Sequence, residues 1–105
     1  MGKLPHAGPS LYAERVLAVV ELIPAGKVLA YGDVAEYLGE SSARAVGRVM
    51  FAYGAAVPWH RVVMASGRPA PPKAVEQLRR LALDGTPLRR SGAAVDMARA
   101  RWDGR

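Results

Sequence analysis

Three apolar stripes at helical spacing, each cut off by glycine or proline, constrain this chain more than any other feature. Tyr12, Val16, Val19, Val20 and Ile23 recur three and four residues apart, the interval that puts side chains on one face of an α-helix. Ser10 is placed to cap that helix, which is expected over residues 11–23, and Pro24-Ala25-Gly26 stops it. Tyr31, Val34, Ala35 and Leu38 repeat the spacing before Gly39, a C-terminal cap. Val46, Val49, Met50 and Tyr53 repeat it again behind Ser41 or Ser42, either of which can cap the third helix. Residues 27–30 read as a short extended connection between the first two helices. Three such stripes cannot stay in water, so the helices must cover one another.

The rest of the chain completes a small domain. Residues 60–65, with Val62 and Val63, read as a short strand, and Ser-Gly-Arg-Pro-Ala-Pro-Pro over residues 66–72 as a stiff loop. A further helix is predicted over residues 73–83 through Val75, Leu78, Leu81 and Ala82, closed by Asp84-Gly85. Val95, Met97 and Trp102 are expected to fold the tail back onto the core. Residues 1–9 contain two prolines and two glycines and read as a flexible N-terminus, leaving residues 10–105 as one domain. At 105 residues the chain supports one modest core. The fold class expected is mainly α, a small single domain with a helix-turn-helix of winged-helix type.

Composition narrows the chemistry. There is no cysteine, which excludes disulfides, thiolate metal sites and a thiol nucleophile. Fifteen Lys and Arg against nine Asp and Glu leave a net charge of +6, which favours a polyanion such as nucleic acid and equally describes a solvated basic surface. No metal site or cofactor is indicated. No apolar run is long enough to span a bilayer, and residues 1–9 lack the apolar stretch of a leader; a cytoplasmic protein, nucleoid-associated when bound to DNA, is expected.

The third helix has an unusual surface. A sequence-specific reader displays several Gln, Asn, Ser or Arg side chains toward base edges, whereas Arg44 here is flanked by Ala43, Ala45 and Gly47. Small residues let the helix backbone approach a sugar-phosphate surface, and the N-terminus near Ser41 and Ser42 can accept a phosphate. They equally permit another helix to pack there. Arg44 and Arg48, four residues apart and away from the apolar stripe, favour nucleic acid.

Four motifs then give the chain a family resemblance: Ile23-Pro24-Ala25-Gly26-Lys27-Val28, Tyr31-Gly32-Asp33-Val34-Ala35, Ala43-Arg44-Ala45-Val46-Gly47 and Pro58-Trp59-His60-Arg61-Val62-Val63. In order and approximate spacing they resemble the C-terminal domain of the O6-alkylguanine-DNA alkyltransferases. The active-site pentapeptide of those enzymes, Pro-Cys-His-Arg-Val, has tryptophan here in place of cysteine. The chain is therefore similar to the alkyltransferase-like proteins, including a tail from Val95-Asp96-Met97 to Trp102 that looks like theirs. An indole has no nucleophile comparable to a thiolate, so the resemblance implies a binder without transfer chemistry.

The resemblance also assigns roles. It implies a helix-turn-helix entering the minor groove and a damaged guanine rotated into a pocket. Tyr31 matches the tyrosine that crowds the target's 3′ phosphate, and it also fits as the first apolar residue of the second helix. Arg44 matches the arginine that fills the gap left by the flipped base, and it also fits an ordinary exposed helix charge. Trp59 would border the pocket, with Val63, Met64, Arg68 and Tyr31 as its other expected lining; as a lone tryptophan it would fit the core. His60 and Asp84 match the enzymes' histidine and glutamate, a former proton relay with no thiol left to serve. The segment between Gly47 and Pro58 is shorter than in the enzymes, their hinge asparagine is missing near Tyr53 or Gly54, and the loop over residues 66–73 has Arg68 and three prolines instead of Tyr-Ser-Gly-Gly.

The expected function is a damage sensor that binds O6-alkylguanine in duplex DNA by base flipping and passes the lesion to nucleotide excision repair proteins, as a monomer. A helix-turn-helix regulator that flips no base is the alternative.

Overall fold

The computed structural model describes residues 10–39 and 42–105. The flexible terminus expected over residues 1–9 and the cap or phosphate site expected at Ser41 lie outside them. The elements are α1 (Leu11–Leu22), β1 (Leu29–Ala30), α2 (Tyr31–Leu38), α3 (Ala43–Tyr53), β2 (Val62–Val63), α4 (Ala74–Leu83) and α5 (Met97–Ala100). Single 3₁₀ turns at Gly54–Ala56 and Trp59–Arg61 join α3 to β2. This is the small, mainly helical domain expected.

Local chemistry sets the helix ends. Ser10 accepts the Ala13 N–H at 3.1 Å to start α1, and Ser42 accepts the Ala45 N–H at 3.2 Å to start α3. The Asp33 carboxylate turns back to accept the Ala30 N–H at 2.8 Å, so α2 begins directly after β1. Gly39 takes φ +83° and donates to Ala35 and Glu36 carbonyls, closing α2 with a left-handed residue.

Two apolar clusters hold the domain. In the first, Val16, Val19 and Val20 of α1 and Ile23 at its C-terminal cap meet Val34 and Ala35 of α2 and Val46 and Val49 of α3. Trp102 closes this cluster from the tail and stacks on Tyr37 with ring centroids 5.9 Å apart. The second gathers Val28, Val63, Leu81, Val95 and Ala100. Between them β1 and β2 pair in parallel, Leu29 opposite Val62 and Ala30 opposite Val63. The tail is stitched on by Trp102 N–H to the Val28 carbonyl at 2.9 Å and Val28 N–H to the Ala100 carbonyl at 3.0 Å.

The fourth helix departs from its expected stripe. Val75 is 85% exposed and Ala82 is exposed, while Gln77 is buried at 1%. Its amide nitrogen donates to the His60 carbonyl at 3.1 Å and the Val62 carbonyl at 2.7 Å, and its amide oxygen accepts the Ala70 N–H at 3.1 Å. A polar side chain is buried because it satisfies backbone groups of the 3₁₀ turn, of β2 and of the loop before α4.

Candidate nucleic-acid interface

α2, α3, the Trp59–Arg61 turn and residues 70–73 surround a cavity of about 400 Å³. Tyr31 from α2, Gly47, Met50 and Phe51 from α3, Trp59, and Lys73 at the foot of α4 all border it. Its lining is aromatic and apolar apart from the Lys73 ammonium, the Tyr31 hydroxyl and the Gln77 amide. Burial raises the Tyr31 pKa, so the phenol keeps its proton and stays a donor.

Trp59 is partly exposed at the cavity wall. The Lys73 Nζ lies 5.5 Å and the Arg80 guanidinium carbon 5.3 Å from its ring centroid, both within cation–π range. Glu76 fixes the second cation: its carboxylate accepts from Arg80 Nε at 2.7 Å and from Arg79 at 2.7 Å and 3.1 Å. These two guanidinium partners hold the Glu76 carboxyl at a pKa of about 2.

Behind the indole lies a charged cluster. His60 Nε2 is 2.9 Å from the Asp84 carboxylate, which also accepts Arg61 Nε at 2.9 Å and Arg61 Nη2 at 3.3 Å. Arg61 donates as well to the Ile23 carbonyl at 2.9 Å, tying the turn to the end of α1. The Asp84 carboxylate, at the end of α4, reaches the histidine, and the pair braces the turn against α4. Burial lowers the His60 pKa, against the opposing hydrogen bond to Asp84. For Asp84, burial raises the pKa, but the hydrogen bonds from Arg61 and His60 outweigh it and leave the carboxyl below its ordinary value.

Both shifts give the same sign. The unfolded chain binds more protons than the folded one at each site, so stability is greatest at neutral pH. It is expected to decline first as His60 protonates in the unfolded chain, below about 6.5, and further once Asp84 is protonated, below about 4. Urea unfolding at pH 7, 5.5 and 4 checks this; a flat profile would contradict it. Asp84→Asn is expected to cost about 1–3 kcal/mol at pH 7, because it leaves a half-buried Arg61 without its counter-charge, and to flatten the acid limb.

The outer face of α3 is built for close approach. Ala43, Arg44 and Arg48 are exposed, Ala45 and Gly47 are half-buried, and neither arginine meets a carboxylate among the described residues. A Cβ built on Gly47 would touch nothing within 4 Å, so the surface beside the cavity is open there.

The expected pocket residues separate. Tyr31 and Trp59 border the cavity together. Val63 does not: it is fully buried in the second cluster, paired with Ala30. Met64, 44% exposed, and Arg68, also exposed, lie outside the lining because a turn closed by Gly67 N–H to the Met64 carbonyl at 2.8 Å carries them past it. Phe51, Met50 and the Ala70-Pro71-Pro72 segment stand in their place. Phe51 was legible in principle, seven residues after Arg44 and hence on the same helix face.

The profile of the family described as the 6-O-methylguanine DNA methyltransferase, DNA binding domain, matches residues 12–86. The chain belongs to this family. Among curated relatives, a DNA base-flipping protein of Escherichia coli (strain K12) is 37% identical over 97 residues, covering 88% of this chain and 74% of the relative. Among solved structures, S. pombe Atl1 in complex with damaged DNA containing O6-carboxymethylguanine is 30% identical, with a TM-score of 0.75 over 88% of this chain and 94% of that one. Mycobacterium tuberculosis OGT in complex with DNA is 28% identical, with a TM-score of 0.67 over 83% of this chain and 53% of that one.

Proposed function

We propose that this protein binds duplex DNA containing O6-alkylguanine, receives the extruded base in the cavity beside Trp59, and transfers no alkyl group. The observation that carries the reading is the position of Trp59. In a motif that resembles the alkyltransferase pentapeptide with tryptophan for cysteine, the indole borders an open cavity of about 400 Å³, next to a helix face with two exposed arginines. The relatives named for base flipping and solved on damaged DNA support the same reading.

In this reading α2 and α3 act as a helix-turn-helix in the minor groove. The capped N-terminus of α3 and its small residues meet the sugar-phosphate surface, Tyr31 crowds the phosphate beside the target, and Arg44 occupies the space the base leaves. Extrusion costs a few kcal/mol, and less where pairing is already poor. Stacking on an aromatic ring returns about 1–3 kcal/mol, and burial of the adduct adds about 0.8 kcal/mol per carbon. Damaged bases are selected because their pairing is weaker and their adduct is apolar. With no thiol, the complex is a marker that hands the lesion to nucleotide excision repair proteins, with one protein molecule per site.

The test is affinity for duplexes that differ by one O6-methylguanine, at one salt concentration, with the protein mass recorded afterwards. Tighter binding of the methylated duplex and an unchanged mass are expected. Equal affinity for both, with a preference for one sequence, would instead favour a regulator that flips no base; a mass gain of one methyl would make the protein an alkyltransferase. Arg44→Ala is expected to weaken lesion binding about tenfold, the loss of one charged hydrogen-bonding contact.

A further inference from the structure

Phe51 is 92% exposed, yet it borders the cavity. So large an apolar ring left in water is informative when it sits at the mouth of a pocket. No stacking or cation contact engages it among the described residues, whereas Trp59 already has Lys73 and Arg80 within 5.5 Å and 5.3 Å of its ring centroid. An incoming base must share the indole with the Lys73 ammonium, which borders the same cavity. Phe51 has no such partner to lose.

Helix geometry gives its direction. Phe51 lies seven residues after Arg44 and four after Gly47, so the three share one face of α3, with Phe51 about 10 Å along the axis from Arg44. Gly47 carries no side chain, and a Cβ built there meets nothing within 4 Å. Gly47 therefore puts no side chain between the ring and whatever enters the cavity. Met50, the adjoining lining residue, adds a flexible apolar surface beside it.

We infer that Phe51 is a specificity-determining residue of the lesion pocket, a second aromatic wall that closes on the O6 substituent and selects large aryl-bearing adducts over small alkyl groups. The inference rests on the base-flipping reading and extends it to one class of adduct. A methyl group ends too close to the purine to gain from a ring at the cavity mouth, whereas a benzyl group projects far enough to stack with it.

Affinities of the full chain and of Phe51→Ala and Phe51→Tyr are measured on duplexes carrying guanine, O6-methylguanine or O6-benzylguanine. The unaltered protein is expected to bind the benzyl duplex at least tenfold more tightly than the methyl duplex. Phe51→Ala is expected to lose about tenfold on the benzyl duplex alone, staying within about twofold on the other two, and Phe51→Tyr to keep the benzyl preference. Because Phe51 is exposed, Phe51→Ala is expected to fold normally. A uniform loss on all three duplexes would make Phe51 a general DNA contact and overturn the inference, as would equal binding of methyl and benzyl duplexes by the unaltered protein. Failure to distinguish methylguanine from guanine would instead sink the base-flipping reading itself.

Discussion

Trp59→Ala is expected to erase the preference for alkylated over undamaged duplex while leaving undamaged binding nearly unchanged. The indole borders the cavity with the Lys73 ammonium and the Arg80 guanidinium against its ring, and its removal takes away the aromatic face on which a base would stack. The lost base–aromatic stacking is worth about 1–3 kcal/mol, or roughly 5-fold to 150-fold in discrimination. Non-specific affinity comes from cations on phosphates, which this substitution does not touch. Trp59→Phe keeps a ring with less area and a weaker cation attraction, and is expected to fall between the two. Equilibrium binding to paired duplexes, with the salt dependence recorded for each, checks the split. If the alanine variant kept full discrimination, the cavity beside Trp59 would not be the lesion pocket.

Gly67→Ala carries the largest expected effect on stability. Gly67 is buried at φ +88°, and a Cβ built there would overlap the Val95 carbonyl oxygen. The close approach is structural: the Val95 N–H donates to the Gly67 carbonyl at 2.8 Å, joining the turn after β2 to the tail. An alanine must both adopt a disfavoured backbone conformation and push the tail at Val95 away from the second apolar cluster. The cost is expected to exceed about 3 kcal/mol, a large part of the stability of a domain this size. The thermal midpoint is expected to fall by more than about 10 °C. Gly85→Ala is the comparison, since Gly85 has φ +78° but open space around it; it is expected to cost only about 1 kcal/mol of backbone strain. Equal losses in the two variants would show that crowding against Val95 does not matter.

The two substitutions act on one assembly by different routes. Gly67 fixes the turn from which residues 70–73 approach the cavity, and Gln77 fixes the other end by accepting the Ala70 N–H. That segment forms one side of the cavity through backbone anchoring, not through Arg68 or Met64. The Asp84 cluster holds the opposite side, tying Trp59's turn to α4 through His60 and to α1 through Arg61. Through these bonds the His60–Asp84–Arg61 cluster contributes rigidity beside the cavity.

What could be read from the residues alone is what local chemistry decides. The caps at Ser10 and Gly39 and the stripes of α1, α2 and α3 are set within one or two helical turns, so spacing and residue type sufficed. The motif around Trp59 drew attention to a residue that does border the cavity. Neighbours along the chain do not decide which side of a short strand faces a cavity. Val62 and Val63 are both buried in a strand too short for alternation to be read, and only its parallel pairing with β1 sends Val63 into the second cluster. The burial of Gln77, the exposure of Phe51 and the placing of Lys73 and Arg80 against Trp59 all depend on how α4 and the loop before it dock. Such contacts join residues far apart in sequence, and their energies come from packing and hydrogen-bond satisfaction that no local pattern encodes.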